Sequence, residues 1–282
     1  MQTNITRLAE FLFFQGPRIT QAKIDQHFKN KTILITGASF GIGEACAKRL
    51  AHTECTLILV ARSTDKLLQL KNELERGHCH VEMVSADLYE LEAAENIFRS
   101  LQEKNLHVDI LIHNAGKSIQ RSIWESLDRP QDIDRCIAIN YINPAQLTRL
   151  LLPDLKLKCG QILVVSTINA KLFAPPLWSS YQASKVAMQQ WILAIQPELA
   201  IQQIDTSIIY LPLVRTRMIL PTKHYDHMPA MQAQSAANAI LDSLIGHKRQ
   251  WQPWWLIWAQ LTSSLFSRPI YYFYRFILGR KK

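Results

Sequence analysis

Short apolar runs alternate along the chain with segments whose apolar residues recur at helical spacing. We predict strands at 32–36, 56–60, 81–84, 109–112, 161–166 and 206–210, and helices over 42–52, 64–76, 90–103, 130–152 and 180–203. The strand segments lack alternating polar residues, which indicates a parallel sheet that is buried on both faces. The pattern therefore predicts an α/β fold with a doubly wound parallel sheet, a Rossmann fold, in which ligands bind at the carboxyl ends of the strands.

No linker, repeat or low-complexity run divides the 282 residues, of which 48% are hydrophobic, so we expect one domain with appendages. We assign 1–28 to an N-terminal helical extension, 29–250 to the α/β domain and 251–282 to an aromatic, basic C-terminal tail. Five widely spaced cysteines without a C-x-x-C pair indicate neither a disulfide framework nor a zinc site, and we expect no metal.

The first residues, MQTNITRLAEFLFFQGP, contain only a short apolar patch interrupted by Glu10, and no small-residue cleavage site follows. This is not typical of a signal peptide. No run of about 18 apolar residues is present either, which argues against a simple membrane span. We therefore expect a cytoplasmic protein, located at the inner face of a membrane if its tail binds lipid.

Basic and aromatic residues are concentrated at the C-terminal end of the chain. The formal net charge is +9, and no acidic residue follows Asp242. Seven basic residues do follow it: Lys248, Arg249, Arg268, Arg275, Arg280, Lys281 and Lys282. Aromatic residues interleaved with them suit the surface of an anionic membrane better than a groove for nucleic acid. We therefore expect peripheral membrane association through the tail and no nucleic-acid partner.

Pro253 and Pro269 each stand where a helix can begin, so we predict two tail helices, 253–267 and 269–279. One stripe of the first helix is apolar: Trp254, Trp258, Leu261 and Leu265. The opposing side is polar: Gln260, Ser263, Ser264 and Ser267. Neither helix can span a hydrocarbon core about 30 Å thick. The alternative to the membrane is that the same aromatic residues pack on the core or on a second subunit.

The first predicted strand ends in TGASFGIG (36–43) and runs directly into a helix. Glycines at 37, 41 and 43 allow a tight turn, close approach of a pyrophosphate to the backbone, and close packing of the helix on the sheet. The second strand ends in Ala61 and Arg62, where no carboxylate is present to bind an unphosphorylated ribose. Because an arginine there can neutralise a 2′-phosphate, the sequence favours NADP over NAD.

The ends of the third and fourth strands and one helix carry further candidates. Asp87 can cap the next helix or accept a hydrogen bond from an adenine amino group. Asn114 and Gly116 in HNAG (113–116) let the backbone pass close to a flat ligand. Tyr181 and Lys185 stand four residues apart on one face of a predicted helix. A protonated Lys185 would favour the phenolate, so we predict that it lowers the pKa of Tyr181 below about 10.

Alone, a tyrosine–lysine pair at this spacing is also typical of an exposed helix surface. Together with the other motifs of the chain, it indicates one family. TGASFGIG, HNAG, Asn140, Ser166-Thr167 and YQASK occur in an order and at spacings that resemble the short-chain dehydrogenase/reductase family, over residues from about 30 to about 224. The resemblance implies that Tyr181 protonates a carbonyl oxygen and that Lys185 lowers the pKa of Tyr181 and holds the nicotinamide ribose. It also implies that Asn140 supports Lys185 through water.

The hydroxyl that polarises the carbonyl is either Ser166 or Thr167. Thr167 lies fourteen residues before Tyr181, one more than is usual in the family, and its position along the strand favours it. His113 replaces the usual first asparagine of the HNAG motif. By pattern and resemblance, the predicted NADP(H) ligands are Gly37, Ser39, Phe40, Gly41, Ile42, Gly43, Arg62, Asp87, Leu88, Asn114, Ala115, Gly116, Tyr181, Lys185 and Thr216.

Two stretches, PLVRTRMILPT and HNAGKSIQRSIWESLDRPQDIDR, are similar to the bacterial branch of the family that reduces long-chain fatty acyl-CoA to fatty aldehyde. In that branch, Thr216 would contact the nicotinamide carboxamide. We therefore expect an NADP(H)-dependent reductase of an apolar carbonyl or thioester, with a lipophilic substrate and a homo-oligomeric assembly. The alternatives are a ketone/alcohol oxidoreductase for steroid-like, retinoid-like or 3-ketoacyl substrates, and a non-catalytic nucleotide-binding or membrane scaffold protein.

Overall fold

The structure is a computed structural model that describes residues 4–220, 222, 225 and 227–280. Some predicted features therefore lie outside the described residues. These are the first three residues of the N-terminal extension, positions 221, 223 and 224 of the loop after the sixth strand, and Lys281 and Lys282 of the basic tail.

The described residues form a parallel sheet at the centre of the molecule. The strands are β1 (Thr32–Thr36), β2 (Thr56–Ala61), β3 (His80–Ser85), β4 (Ile110–His113), β5 (Gln161–Thr167), β6 (Asp205–Leu211), β7 (Val214–Arg215), β8 (Met231–Gln232) and β9 (Gln250–Trp251). Seven of them pair in the order β3-β2-β1-β4-β5-β6-β9, while β7 and β8 form a separate pair. In the register of the sheet, Ile33 of β1 lies between Leu57 of β2 and Ile110 of β4.

Helices cover both faces of this sheet. They are α1 (Asn4–Phe13), α2 (Gln21–Phe28), α3 (Gly41–Leu50), α4 (Thr64–Leu74), α5 (Ala93–Glu103), α6 (Gln131–Ile137), α7 (Asn143–Leu157), α8 (Ser179–Ile201), α9 (Ala233–Ile245), α10 (Leu256–Leu265) and α11 (Ser267–Gly279). One core layer joins the sheet to α2, α3, α4 and α9, and the other joins it to α5, α7 and α8. The predicted doubly wound α/β fold is confirmed.

The apolar runs form strands because both of their faces are covered. All seven residues of β5 are buried, as are the last four of the five in β1. The strand order reverses between β1 and β4, so the connections from these two strands leave the sheet on opposite sides and a crevice opens at their carboxyl ends. This crevice is where the fold places a ligand.

The two tail helices exist, but their predicted starts are wrong. Leu256 begins the first helix, three residues after Pro253, because residues 250 and 251 are held in the sheet as β9. The second begins at Ser267, so Pro269 lies within its first turn. In the described part of the chain, no helix is both long enough and apolar enough to cross a membrane.

Candidate active site

The glycine loop between β1 and α3 has the backbone that its sequence predicts. Gly37 and Gly41 have φ values of +67° and +64°, a region that side chains with a Cβ rarely occupy. A Cβ added to Gly43 would lie 2.5 Å from the carbonyl oxygen of Gly37. Ser39, Phe40 and Ile42 are partly buried between these glycines, and α3 starts at Gly41. The N-terminus of this helix therefore faces the crevice, as a phosphate-binding loop requires.

Asn114 holds the glycine loop from the neighbouring strand. Its side-chain Nδ2 donates to the carbonyl oxygens of Thr36 and Gly37 at 3.0 and 3.1 Å. The backbone N–H groups of Asn114 and Ala115 both donate to Oγ1 of Thr36 at 3.1 Å. Thr36 was not among the predicted site residues, although it stands directly before Gly37 at the end of the strand. These bonds join the ends of β1 and β4 across the crevice.

Arg62 follows β2 directly, and its side chain is exposed. Its Nη1 lies 3.4 Å from Oδ2 of Asp87, and its guanidinium lies over the Tyr89 ring at 5.6 Å from the centroid. Asp87 does not cap the next helix, because its Oδ1 accepts the Tyr89 N–H at 3.2 Å and α5 begins only at Ala93. Leu88 is buried in the core. An arginine and a carboxylate thus stand together where the sequence predicts the adenosine ribose.

Lys185, Asn140 and Gly116 meet beside the end of β5. Lys185 Nζ is buried and donates to the carbonyl oxygen of Val165 at 2.9 Å. A Cβ on Gly116 would lie 2.9 Å from Asn140 Oδ1 and 3.3 Å from Lys185 Nζ. Glycine at this position therefore lets the amide and the ammonium come close to the backbone after β4.

Asn140 lies in a π-helical turn, 138–142, between α6 and α7. Its Nδ2 donates to the Lys117 carbonyl oxygen and to Ser184 Oγ, both at 2.9 Å, and its Oδ1 accepts the Lys117 N–H at 3.1 Å. Ser184 in turn donates to the Tyr181 carbonyl oxygen at 2.7 Å. Asn140 is thus fixed to α8 within one turn of Tyr181 and Lys185. The sequence did not point to Ser184, whose one signal is its place directly before Lys185.

Thr167 is the hydroxyl that contacts Tyr181. The Thr167 side chain lies beside the Tyr181 phenol and opposes the rise in its pKa, and Thr167 Oγ1 accepts the Asn169 N–H at 3.3 Å. Successive side chains of a strand point to opposite sides, so Ser166 cannot share this position. The Ser166 hydroxyl is buried and has no hydrogen-bond partner among the described residues. The geometry agrees with the preference for Thr167 that its position in the sequence indicated.

The predicted direction of the Tyr181 pKa shift is wrong in this structure. Burial raises the pKa of Tyr181 to about 12, because a phenolate would lose its hydration, and the hydrogen bond from Thr167 opposes this shift only in part. Burial lowers the pKa of Lys185 to about 8 for the same reason. Tyr181 therefore keeps its proton at neutral pH. Neutral pH lies close to the pKa of Lys185, so this side chain can lose its proton slightly above it.

Thr216 lies next to the glycine loop. A Cβ on Gly41 would lie 3.0 Å from Cγ2 of Thr216, and the Arg217 guanidinium lies 3.9 Å from the centroid of the Phe40 ring. The loop after β6 thus covers the glycine loop. At the end of β4, His113 is buried with its Nε2 2.8 Å from Thr148 Oγ1, and burial lowers the pKa of His113 to about 3. His113 is therefore a neutral structural group.

Comparison with known proteins places this arrangement in a family. The short chain dehydrogenase family profile matches residues 31–225. Fatty acyl-CoA reductases of Acinetobacter baylyi and Mycobacterium tuberculosis are 36% and 38% identical, over 80% and 74% of this chain and 76% and 71% of their own.

Two solved structures resemble the fold. A Sphingobium yanoikuyae short-chain dehydrogenase in complex with NADPH aligns with a TM-score of 0.71 and 26% identity, over 78% of this chain and 86% of its own. An alcohol dehydrogenase from Thermococcus sibiricus complexed with 5-hydroxy-NADP aligns with a TM-score of 0.66 and 25% identity, over 77% of this chain and 91% of its own. The profile covers most of the chain, and both reductases exceed 30% identity over more than two thirds of their length; the chain therefore belongs to the short-chain dehydrogenase/reductase family.

Proposed function

We propose that the protein is an NADP(H)-dependent reductase whose substrate is a long-chain fatty acyl-CoA or another apolar carbonyl compound. The observation that carries this proposal is the placement of Tyr181 beside Thr167 and four residues before the buried ammonium of Lys185. A protonated phenol, a second hydroxyl and a cation together can stabilise and protonate an oxygen that gains negative charge.

The residues of the crevice fit NADP(H). Gly37, Gly41 and Gly43 leave the backbone before α3 open to a pyrophosphate, and Asn114 fixes that loop. Arg62 offers its exposed guanidinium to a 2′-phosphate, which would compete with Asp87 for it. The matched Sphingobium and Thermococcus structures, which contain NADPH and 5-hydroxy-NADP, support the same choice.

The side chains suggest how the reaction proceeds. Bound in the crevice, NADPH would supply a hydride to the carbonyl carbon. Tyr181 gives its proton to the carbonyl oxygen, and the Thr167 hydroxyl hydrogen-bonds the same oxygen. Lys185, with a pKa of about 8, is mostly protonated at neutral pH and favours the phenolate that remains. With a thioester, the product is a hemithioacetal that collapses to an aldehyde and releases the CoA thiol; a ketone or aldehyde gives an alcohol.

The test of this function is NADPH oxidation with acyl-CoAs, aldehydes and ketones of matched chain length. We expect acyl-CoA reduction with release of one CoA thiol for each aldehyde formed, and faster turnover with NADPH than with NADH. Turnover confined to ketones and aldehydes would instead identify the ketone/alcohol oxidoreductase. If NADPH binds but no carbonyl compound is reduced, the protein is the non-catalytic alternative.

We further propose that the tail attaches the enzyme to an anionic membrane. Leu256 anchors α10 in the core, but the predicted apolar stripe faces outward: Trp254, Trp258, Leu261 and Leu265 are 62%, 66%, 52% and 78% exposed. Every side chain of α11 is at least partly exposed, including its aromatic residues and two arginines, Arg268 and Arg275, and Arg280 directly after the helix is exposed as well. Exposed aromatic rings next to arginines suit an anionic interface.

The N-terminal helix adds to this apolar surface. The indoles of Trp254 and Trp255 donate to the carbonyl oxygens of Leu12 and Phe13 at 3.4 and 2.9 Å, and the Phe13 ring stacks on Trp254 at 5.7 Å. Leu8 and Phe11 of α1 are also exposed. Helices from both ends of the chain thus form one apolar face. The expected homo-oligomer and the expected lack of a nucleic-acid partner stay predictions.

Vesicle flotation tests the membrane proposal. With anionic vesicles at low salt, we expect the wild-type protein to float and a variant carrying Trp258→Gln, Leu261→Gln and Leu265→Gln to stay unbound, because it lacks the stripe that enters the interface. Substitutions are preferable to truncation, since removing the tail also removes β9 and Leu256 from the folded domain.

The matched control replaces three exposed apolar residues elsewhere, Ile123, Trp124 and Leu127, with glutamine. This variant should float like the wild type, and binding of both should weaken as salt screens the arginines. A wild-type protein that stays unbound at low salt would contradict the proposal, as would a stripe variant that floats equally well.

A further inference from the structure

A groove runs between the segment that follows β5 and the two tail helices. It has a volume of about 360 Å³, within the range of small-molecule sites, which is about 300–1,000 Å³. One wall is the segment 169–175, and the other is formed by α10 and α11. We propose that this groove binds the alkyl chain of the substrate. The inference rests on the proposed function, since it assigns a place to the apolar part of the molecule that Tyr181 protonates.

One residue that lines the groove is hydrogen-bonded to the Thr167 hydroxyl. Asn169 lines the groove, and its backbone N–H donates to Thr167 Oγ1 at 3.3 Å. Its carbonyl oxygen accepts a hydrogen bond from Gln182, the residue after Tyr181. The groove therefore reaches a residue that is bonded to Thr167, beside which the carbonyl group must be placed.

The walls of the groove are held together by specific contacts. The Phe173 N–H donates to Ser263 Oγ at 2.6 Å, which joins the inner segment to α10. The Phe173 and Tyr274 rings lie 6.1 Å apart, which joins the same segment to α11. The groove is therefore a formed feature of the fold and not only a gap beside a tail.

The surface that the groove presents is apolar. Leu172, Phe173, Ala259, Phe266, Ile270 and Phe273 line it. The hydroxyls of Ser263 and Thr262 are already bonded to backbone groups: Ser263 Oγ accepts from Phe173, and Thr262 Oγ1 donates to the carbonyl oxygens of Trp258 and Ala259. Since these polar groups are already paired, an alkyl chain can cover them without leaving a buried group unsatisfied.

The outer end of the groove opens between α10 and α11, where Phe266 and Phe273 are 55% and 58% exposed. These are the helices that carry the apolar face described above. A lipophilic chain dissolved in a membrane would therefore enter the groove without crossing water. Chain length, more than head-group chemistry, should then set affinity at this end of the site.

The first experiment is a chain-length series of acyl-CoAs from butanoyl to dodecanoyl. For the wild-type protein we expect kcat/KM to rise about fourfold with each added methylene until the groove is filled. Thr262→Trp fills the groove from α10, and should lower the ratio of kcat/KM between dodecanoyl-CoA and butanoyl-CoA by about tenfold or more, the equivalent of roughly two lost methylene contacts. Ile270→Trp, which enters from α11, should act in the same way.

The matched control is Gln260→Trp, an exposed position on the same helix that does not line the groove. It should keep the wild-type chain-length series. A wild-type series without length dependence, or a Thr262→Trp series that matches the wild type, would overturn the groove assignment even if acyl-CoA is reduced.

The second experiment measures binding without turnover, so that the groove and the proposed function can fail separately. Alkanoates from butanoate to dodecanoate are titrated in the presence of NADP⁺, with thermal stabilisation as the readout. Affinity should rise with chain length in the wild type and Gln260→Trp, but not in Thr262→Trp. If this result is obtained and no carbonyl compound is reduced, the groove stands and the proposed function fails. If the wild type, Thr262→Trp and Ile270→Trp bind the alkanoates equally well, the groove does not bind the alkyl chain.

Discussion

Replacing Tyr181 with phenylalanine is expected to lower turnover by about 100-fold or more, while folding and NADPH affinity stay close to those of the wild type. The substitution removes one oxygen atom from a partly buried position on α8. Because burial raises the pKa of Tyr181 to about 12, the wild-type residue keeps its proton throughout the neutral range. Thr167 can still hydrogen-bond a carbonyl oxygen, but it does not replace the lost proton. Steady-state kinetics and NADPH fluorescence titration measure the two effects.

Tyr210→Phe is the matched control for this prediction. Tyr210 is buried, and burial raises its pKa to about 12 as it does for Tyr181, but Tyr210 lies in β6 and is not a candidate for the reaction. It should keep turnover within a few-fold of the wild type. If Tyr181→Phe retains turnover within threefold of the wild type, another group donates the proton and the assignment of Tyr181 is wrong.

Much of the fold could be predicted because the strands are continuous apolar runs, whereas in the helices apolar residues recur at helical spacing. The predicted run at 32–36 coincides with β1, and the other five predicted strands differ from the observed ones by one or two residues. β9 was missed because two residues carry no readable pattern, and its pairing depends on β6, where the Ile208 N–H donates to the Arg249 carbonyl oxygen at 3.1 Å. The single helix predicted over 130–152 is interrupted by the π-helical turn that positions Asn140.

The site was predicted less completely than the fold. Sequence motifs identify its residues, but the pKa values of those residues and the groove beside them depend on tertiary packing. Helical spacing places Tyr181 and Lys185 on one face of α8, whereas the direction of their pKa shifts depends on burial, which the local sequence does not reveal. The groove depends on segments about ninety residues apart in sequence, such as Phe173 and Ser263, and no motif links them. Spacing therefore predicted which side chains share the site, whereas tertiary contacts form the groove that we propose for the substrate.

The second large effect is expected for Gly43→Ala, which should weaken NADPH binding by roughly 100-fold and lower the free energy of unfolding by about 1–3 kcal/mol. The new Cβ would lie 2.5 Å from the Gly37 carbonyl oxygen and 2.7 Å from Asn114 Nδ2. The first contact is with backbone, and the second is with the amide that bonds both Thr36 and Gly37. The loop must therefore move away from α3, and the N–H groups at the start of the helix no longer converge on a pyrophosphate.

Gly279→Ala provides the control for Gly43→Ala, since a Cβ at Gly279 has no other atom within 4 Å among the described residues. It makes the same chemical change inside a helix without a clash, so it should leave NADPH affinity and thermal stability unchanged. Fluorescence titration with NADPH and denaturant unfolding separate the two effects in each variant. If Gly43→Ala binds NADPH within threefold of the wild type, the cofactor does not depend on the close approach of α3 to the glycine loop, and the phosphates must be bound elsewhere in the crevice.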